Sequence, residues 1–240
     1  MVKPQLPTQS QCLSYFDQYK VPKNILAHCK AVQEVSVFMA QEIQKSQKLQ
    51  KLQKKPHPPP NIEFVRALSI LHDLFKAVTL KELNPHHKYH PYPYNDQEIA
   101  MWRTLRERFT GKYEGEIAYE IFHKEFPQLA ASLHKASAPG IHVNEKTFEE
   151  NLVHYVDWRV FKTDIIPLKD RLVYLREMYP TAKLRHEEEQ EMIQFETEIF
   201  SHLPFAPQDL KPEFETHIQA KRHIQTQEHN QSKTEVTHGR

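Results

Sequence analysis

Two histidines and two aspartates, spread over three separate segments, are the residues of this sequence whose types and spacing point to chemistry. Residues 67–78, "ALSILHDLFKAV", set His72 and Asp73 side by side where Leu68, Leu71, Leu74, Phe75 and Val78 recur at helical spacing. A carboxylate next to an imidazole near a core costs on the order of several kcal/mol unless something pairs with it. His28 falls on the apolar stripe Ile25, Val32, Val35, Met39, Ile43 of "VPKNILAHCKAVQEVSVFMAQEI". Asp157 stands at the edge of the stripe Phe148, Leu152, Val156, Val160 in "TFEENLVHYVDWRVF". Taken singly, a core histidine is satisfied by a hydrogen bond and a core carboxylate by an ion pair. Together, two imidazoles and two carboxylates form a ligand set suited to one divalent cation (Mn²⁺, Fe²⁺, Co²⁺, Ni²⁺ or Zn²⁺), which would neutralise both buried charges.

The elements that must position these groups are helices. Only 4 of the 240 residues are Gly, while Glu, Gln, Lys, Leu and Ala are common and the periodic segments are long, so an all-α fold is expected. A short helix is expected over 10–19, and a long one begins at Pro22 and runs through His28. The helix carrying His72 and Asp73 follows a basic, proline-ended connector, 48–61. After the loop "NPHHKYHPYPYND" come helices at about 95–109, 113–125 and 127–136, the last opening at Pro127. Thr147, with Glu150 three residues on, caps the helix of Asp157. Two further helices are expected at about 167–179 and 181–203, the second opening at Thr181. The expectation is therefore a single helical bundle over 1–206, followed by a polar, disordered tail over 207–240.

Composition excludes several classes of function. With 32 Lys+Arg against 31 Asp+Glu, no overall field favours nucleic acid. Four glycines leave no phosphate loop of the P-loop or Rossmann kind. Cys12 and Cys29 are too few for a disulfide framework, and no stretch approaches about 18 uninterrupted apolar residues or reads as a leader. A cytoplasmic location and no membrane partner are the resulting expectations.

In order and context the four residues resemble the HD-domain phosphohydrolase superfamily. That pattern has a histidine on an early helix, an adjacent His-Asp on the next, and a distant Asp on a later one. His28, His72-Asp73 and Asp157 match it. "ILAHCKAVQEVSVFMA" is similar to the first metal helix of the family, "LHDLFK" to its His-Asp-x-x-Lys form, and "GEIAYEIFHKEFPQLAASLHKAS" and "LVHYVDWRV" to its middle and final segments. The likeness spans about residues 22–162. Binuclear members carry further histidines, but here "GKYEGE" offers Tyr113 and Glu114 and no His, so one metal ion is implied. His123 and His134 are read as ordinary helix residues.

The resemblance implies an HD-type bundle that hydrolyses a phosphate ester, of a nucleotide or another small phosphorylated metabolite, with water activated by the ion. His28, His72, Asp73 and Asp157 are the expected metal ligands, and Asp73 and Lys76 the expected catalytic residues. Lys76 projects toward the ligand side to contact phosphate or to pair with Asp73, and Asp73 orients water with its second oxygen. Arg159 ranks below Lys76, because about 200° of helix separates it from Asp157. Glu82 and the loop histidines His86, His87 and His90 are weaker candidates. Hydrolysis of the guanosine alarmone is a narrower alternative. The alternative of another class is a catalytically inactive, metal-stabilised module of the same fold that binds a nucleotide or a protein.

Overall fold

In the computed structural model, residues 5–49, 58–80, 83, 92–137, 145–178 and 185–237 are described. Helix α1 (Gln9–Gln18) opens with a capping box in which the Thr8 hydroxyl accepts from Gln11 N–H and the Gln11 side chain returns a bond to Thr8. Helix α2 (Lys23–Leu49) begins directly after Pro22 and buries Cys29, Val32, Val35, Met39 and Ile43. Helix α3 (Ile62–Leu71) is capped by Asn61, whose side chain accepts from Phe64 N–H. Then come α4 (Lys76–Thr79), α5 (Asp96–Arg108), α6 (Glu114–Phe122), α7 (Pro127–Ser137) and α8 (Phe148–Arg159). The capping box expected of Thr147 and Glu150 is present at the start of α8.

Helix α2 packs on both α3 and α8, and α3 also meets α8 and α7, so the three segments carrying the chemical residues share one core. Tyr155, Phe75, Met39, Ile43 and Leu71 are among its fully buried side chains. The all-α expectation holds, with one small exception. Strands β1 (Val160–Phe161) and β2 (Asp164–Ile165) form an antiparallel hairpin immediately after α8, pairing Val160 with Ile165 and Phe161 with Asp164. Its turn residue Lys162 has φ 58°, a left-handed conformation that costs an L-residue about 1 kcal/mol.

Three expectations need correction. The helix anticipated over 67–78 is broken: α3 ends at Leu71, and a turn separates it from the single turn of α4. There the backbone tightens to i→i−3 bonds, Leu74 N–H to Leu71 O at 3.1 Å and Lys76 N–H to Asp73 O at 3.0 Å. Helix α8 ends at Arg159, because Val160 turns extended into the hairpin. The tail expected to be disordered over 207–240 instead contains α11 (Leu210–Thr237). Its Leu210 is fully buried, and Phe214 and His217 sit with ring centroids 5.7 and 4.9 Å from that of Phe38. That short stripe is the anchor the sequence reading overlooked. From Gln219 to Ile224 the side chains are exposed. Helices α9 (Leu168–Met178) and α10 (Arg185–Ser201) match their expected positions, and Thr181 lies outside the described residues.

Candidate metal centre

His28 projects from α2 beside the end of α8, and each of its ring nitrogens has a distinct neighbour. Nδ1 lies 2.8 Å from the Lys162 carbonyl and Nε2 lies 2.9 Å from Asp157 Oδ1. Since a carbonyl only accepts, Nδ1 carries a proton and donates it. His72 repeats the arrangement, with Nδ1 donating to Ser69 O at 2.7 Å. Ser69 O is the acceptor that an unbroken α-helix would offer to Asp73 N–H, so the bond that orients His72 lies at the break between α3 and α4. In both rings the carbonyl holds a proton on Nδ1 and turns Nε2 toward the carboxylates, where it can carry a proton or, without one, bind a metal ion.

The two Nε2 atoms face carboxylates. His72 Nε2 is 3.4 Å from Asp157 Oδ1 and 3.7 Å from Asp73 Oδ2, and the two imidazole centroids are 5.4 Å apart. Ligand atoms of His28, His72 and Asp73 all lie within 4.8 Å of one another, and Asp157 joins through its contacts to both rings. His72 is buried, and its Nε2 has no hydrogen-bond partner. A lone pair aimed at an anion is repelled unless a proton or a metal ion lies between them. Neighbouring ligands of an ion, each at about 2.1 Å, sit about 3 Å apart, and the contacts here run from 2.9 to 3.7 Å, so small side-chain adjustments would close them around an ion. The residues therefore fit a divalent ion.

Protons supply the cohesion in the metal-free protein. Burial works against charging His72, but Asp73, Cys29 and Asp157 outweigh it and hold its pKa well above the usual histidine value. Burial likewise opposes ionisation of Asp157, yet its hydrogen bond to His28 and the nearby His72 ring keep it well below the ordinary carboxylate range. Asp73 is also lowered, by Lys76 and then His72 acting against burial.

Lys76 reaches into the same region from α4. Its ammonium lies 3.1 Å from Glu114 Oε1 and 3.7 Å from Asp73 Oδ1. The i,i+3 contact with Asp73 expected from sequence is present, and the buried Glu114 of α6 adds a partner that sequence reading did not assign. One oxygen of Asp73 thus faces His72 while the other faces Lys76, so the oxygen expected to orient water is turned toward an ammonium instead. Burial pushes the Glu114 pKa up, partly offset by Lys76. Glu114 was legible only as the acid preceding Gly115 in "GKYEGE", a place noted for lacking a histidine.

Arg159 points away from this cluster, as its helical position requires. It is buried and donates to Ile166 O at 2.6 Å, Pro207 O at 3.0 Å and Glu196 Oε2 at 3.1 Å, and also bonds the Tyr155 hydroxyl. It ties the hairpin and the approach to α11 to the end of α8. His134 is engaged with the Tyr113 hydroxyl at 2.8 Å, and His123 donates to the Tyr119 and Glu120 carbonyls. Glu82, His86, His87 and His90 lie outside the described residues. His154, one turn before Asp157 on α8, was not anticipated. Burial, aided by the Lys146 ammonium 3.0 Å from its Nδ1, pushes its pKa down to about 3, so it is neutral near pH 7.

Comparison with protein-family models, with curated proteins and with solved structures finds no match to the chain. No helix among the described residues is long and apolar enough to cross a membrane.

Proposed function

We propose that this protein is a metal-dependent phosphohydrolase of the HD type, acting in the cytoplasm on a small phosphate ester such as a nucleotide. The observation that carries the reading is the convergence of two imidazoles on two carboxylates, each ring with Nδ1 tied to a carbonyl and Nε2 turned toward Asp157. His28, His72, Asp73 and Asp157 would hold one divalent ion. When bound, that ion supplies Lewis acidity toward a phosphoryl oxygen and makes water acidic enough to ionise near neutral pH. Lys162 O and Ser69 O keep the imidazoles in register, so little reorganisation accompanies substrate binding. Asp73 divides its carboxylate between the ligand cluster and Lys76 and so keeps the ammonium beside the cluster, where it would add positive charge toward a bound phosphoryl group. Phosphoryl transfer depends mainly on such placement of charge and on alignment.

The test is release of phosphate from nucleotides, sugar phosphates and aryl phosphates with Mn²⁺, Co²⁺, Ni²⁺, Fe²⁺ or Zn²⁺. Turnover is expected for one compound class, with a fall of at least roughly a hundredfold in Asp73→Asn. Folded, metal-loaded protein that turns over nothing would leave the metal-stabilised binding module in its place.

A further inference from the structure

We infer that His154 contacts the substrate of this centre: its Nε2–H donates a hydrogen bond to an oxygen of the phosphoryl group, and Lys146 is the positioning residue that keeps the proton on that nitrogen. This inference rests on the reading of the cluster as a phosphohydrolase centre and adds to it a residue that is not a metal ligand.

The tautomer carries it. Lys146 stands in the bend just before Thr147, and its Nζ lies 3.0 Å from Nδ1 of His154, about two turns along α8. An ammonium has donors and no acceptor, so Nδ1 accepts and the proton of the neutral ring sits on Nε2. His28 and His72 are the reverse case, each with Nδ1 donating to a carbonyl. One side-chain type thus takes two forms in one region. Two rings are set to bind an ion through Nε2, and the third presents an N–H that cannot ligate an ion without losing its proton.

Position sets the donor beside the centre. His154 lies one turn before Asp157, and residues three apart on a helix are neighbours on its surface. Asp157 and His72 both act on the charging of its ring, so the ring stands in their field. The indole of Trp158 packs perpendicular to it, with centroids 5.6 Å apart. Lys146 lies in turn in the field of Glu188 and Glu191 of α10 and of Glu145 and Glu150, which oppose the effect of burial on its ammonium. A neutral imidazole fixed in one tautomer can polarise a bound oxygen without carrying a second charge into the site. A phosphoryl group, whose oxygens accept and carry charge, is the chemistry such a donor suits.

Two measurements on the full chain test this. In metal-free protein with isotope-labelled histidine, long-range proton–nitrogen correlation spectra near pH 7 should show His154 protonated on Nε2 alone. A His154 protonated on Nδ1 overturns the inference without recourse to any variant. With one equivalent of Mn²⁺ bound, calorimetry then follows inorganic phosphate binding to wild type, His154→Asn and His154→Gln. Asn keeps an acceptor near the place of Nδ1 and lacks the Nε2 donor, whereas the Gln amide keeps a donor near the place of Nε2. Phosphate affinity should fall by roughly tenfold or more in His154→Asn and be largely restored in His154→Gln, with Mn²⁺ affinity unchanged in both. Equal phosphate affinity in wild type and folded His154→Asn overturns the inference. So does a Mn²⁺ affinity lowered as far as in Asp157→Asn, which would make the ring a ligand. Hydrolysis of p-nitrophenyl phosphate separates the two readings: absence of turnover by wild type counts against the hydrolase, while the tautomer and the phosphate affinities still decide the role of His154.

Discussion

His72 and Asp73 adjoin each other without the penalty of an isolated buried charge because each has a charged partner, one on another helix and one three residues along the chain. His72 faces Asp157 and Asp73 faces Lys76. Their proposed roles follow from atoms more than from residue types: one carbonyl on Nδ1 leaves Nε2 as the nitrogen through which each imidazole would bind an ion. Replacing a ligand should therefore cost more than replacing a contact. Asp157→Asn is expected to weaken Mn²⁺ binding by at least roughly a hundredfold in a calorimetric titration, and an unchanged affinity would remove Asp157 from the ligand set. His154 gives a prediction of a different sign. Its folded pKa of about 3 lies below the unfolded value near 6.5, so the unfolded chain binds the extra proton between those values. Stability associated with His154 is thus fully present above about pH 6.5 and is lost as pH falls toward 3. His154→Gln should flatten the melting temperature against pH in that window relative to wild type; identical profiles would show that the ring is not held neutral.

At the scale of elements, the site depends on where helices stop. The helix of His72 ends at Leu71, and α8 ends two residues after Asp157, in a hairpin whose turn lends a carbonyl to His28. Lys162→Val, a β-branched residue forced to φ 58°, should lower stability by about 1–2 kcal/mol and weaken metal binding, although the side chain of Lys162 is not a ligand. Lys162→Gly should preserve both, and denaturant melts with metal titrations check the pair. Periodicity made α1, α2 and α5 to α8 legible, helped by Pro22 before α2, Pro127 at the start of α7 and the Thr147 cap of α8. The break at His72 was illegible because Leu74, Phe75 and Val78 continue the helical spacing on the far side of it. What ends the helix is a side-chain bond to Ser69 O, which spacing does not encode. The four ligand positions were readable as polar groups on apolar stripes. Glu114 was not, since an acid in the first turn of a helix is ordinary at the level of sequence.

Over the whole molecule, the C-terminal region is more closely joined to the core than its polar composition suggested. Arg159 Nη2 donates to Pro207 O, Leu210 is fully buried, and the rings of Phe214 and His217 lie against Phe38. Truncation after residue 206 is expected to lower the melting temperature by several degrees, whereas truncation after residue 224 should leave it within about a degree. Equal melting temperatures for the two truncations would contradict the anchoring described for α11. The central claim is that α2, α8 and the turn after α3 converge to hold one divalent ion. It is tested most directly by titrating metal-stripped protein with Mn²⁺ at pH 7.5 while following heat and melting temperature together. The account predicts one ion bound per chain with a rise in melting temperature, and loss of both in the His28→Gln/His72→Gln double variant. No saturable binding by folded wild-type protein, or binding unaltered in the double variant, would contradict it.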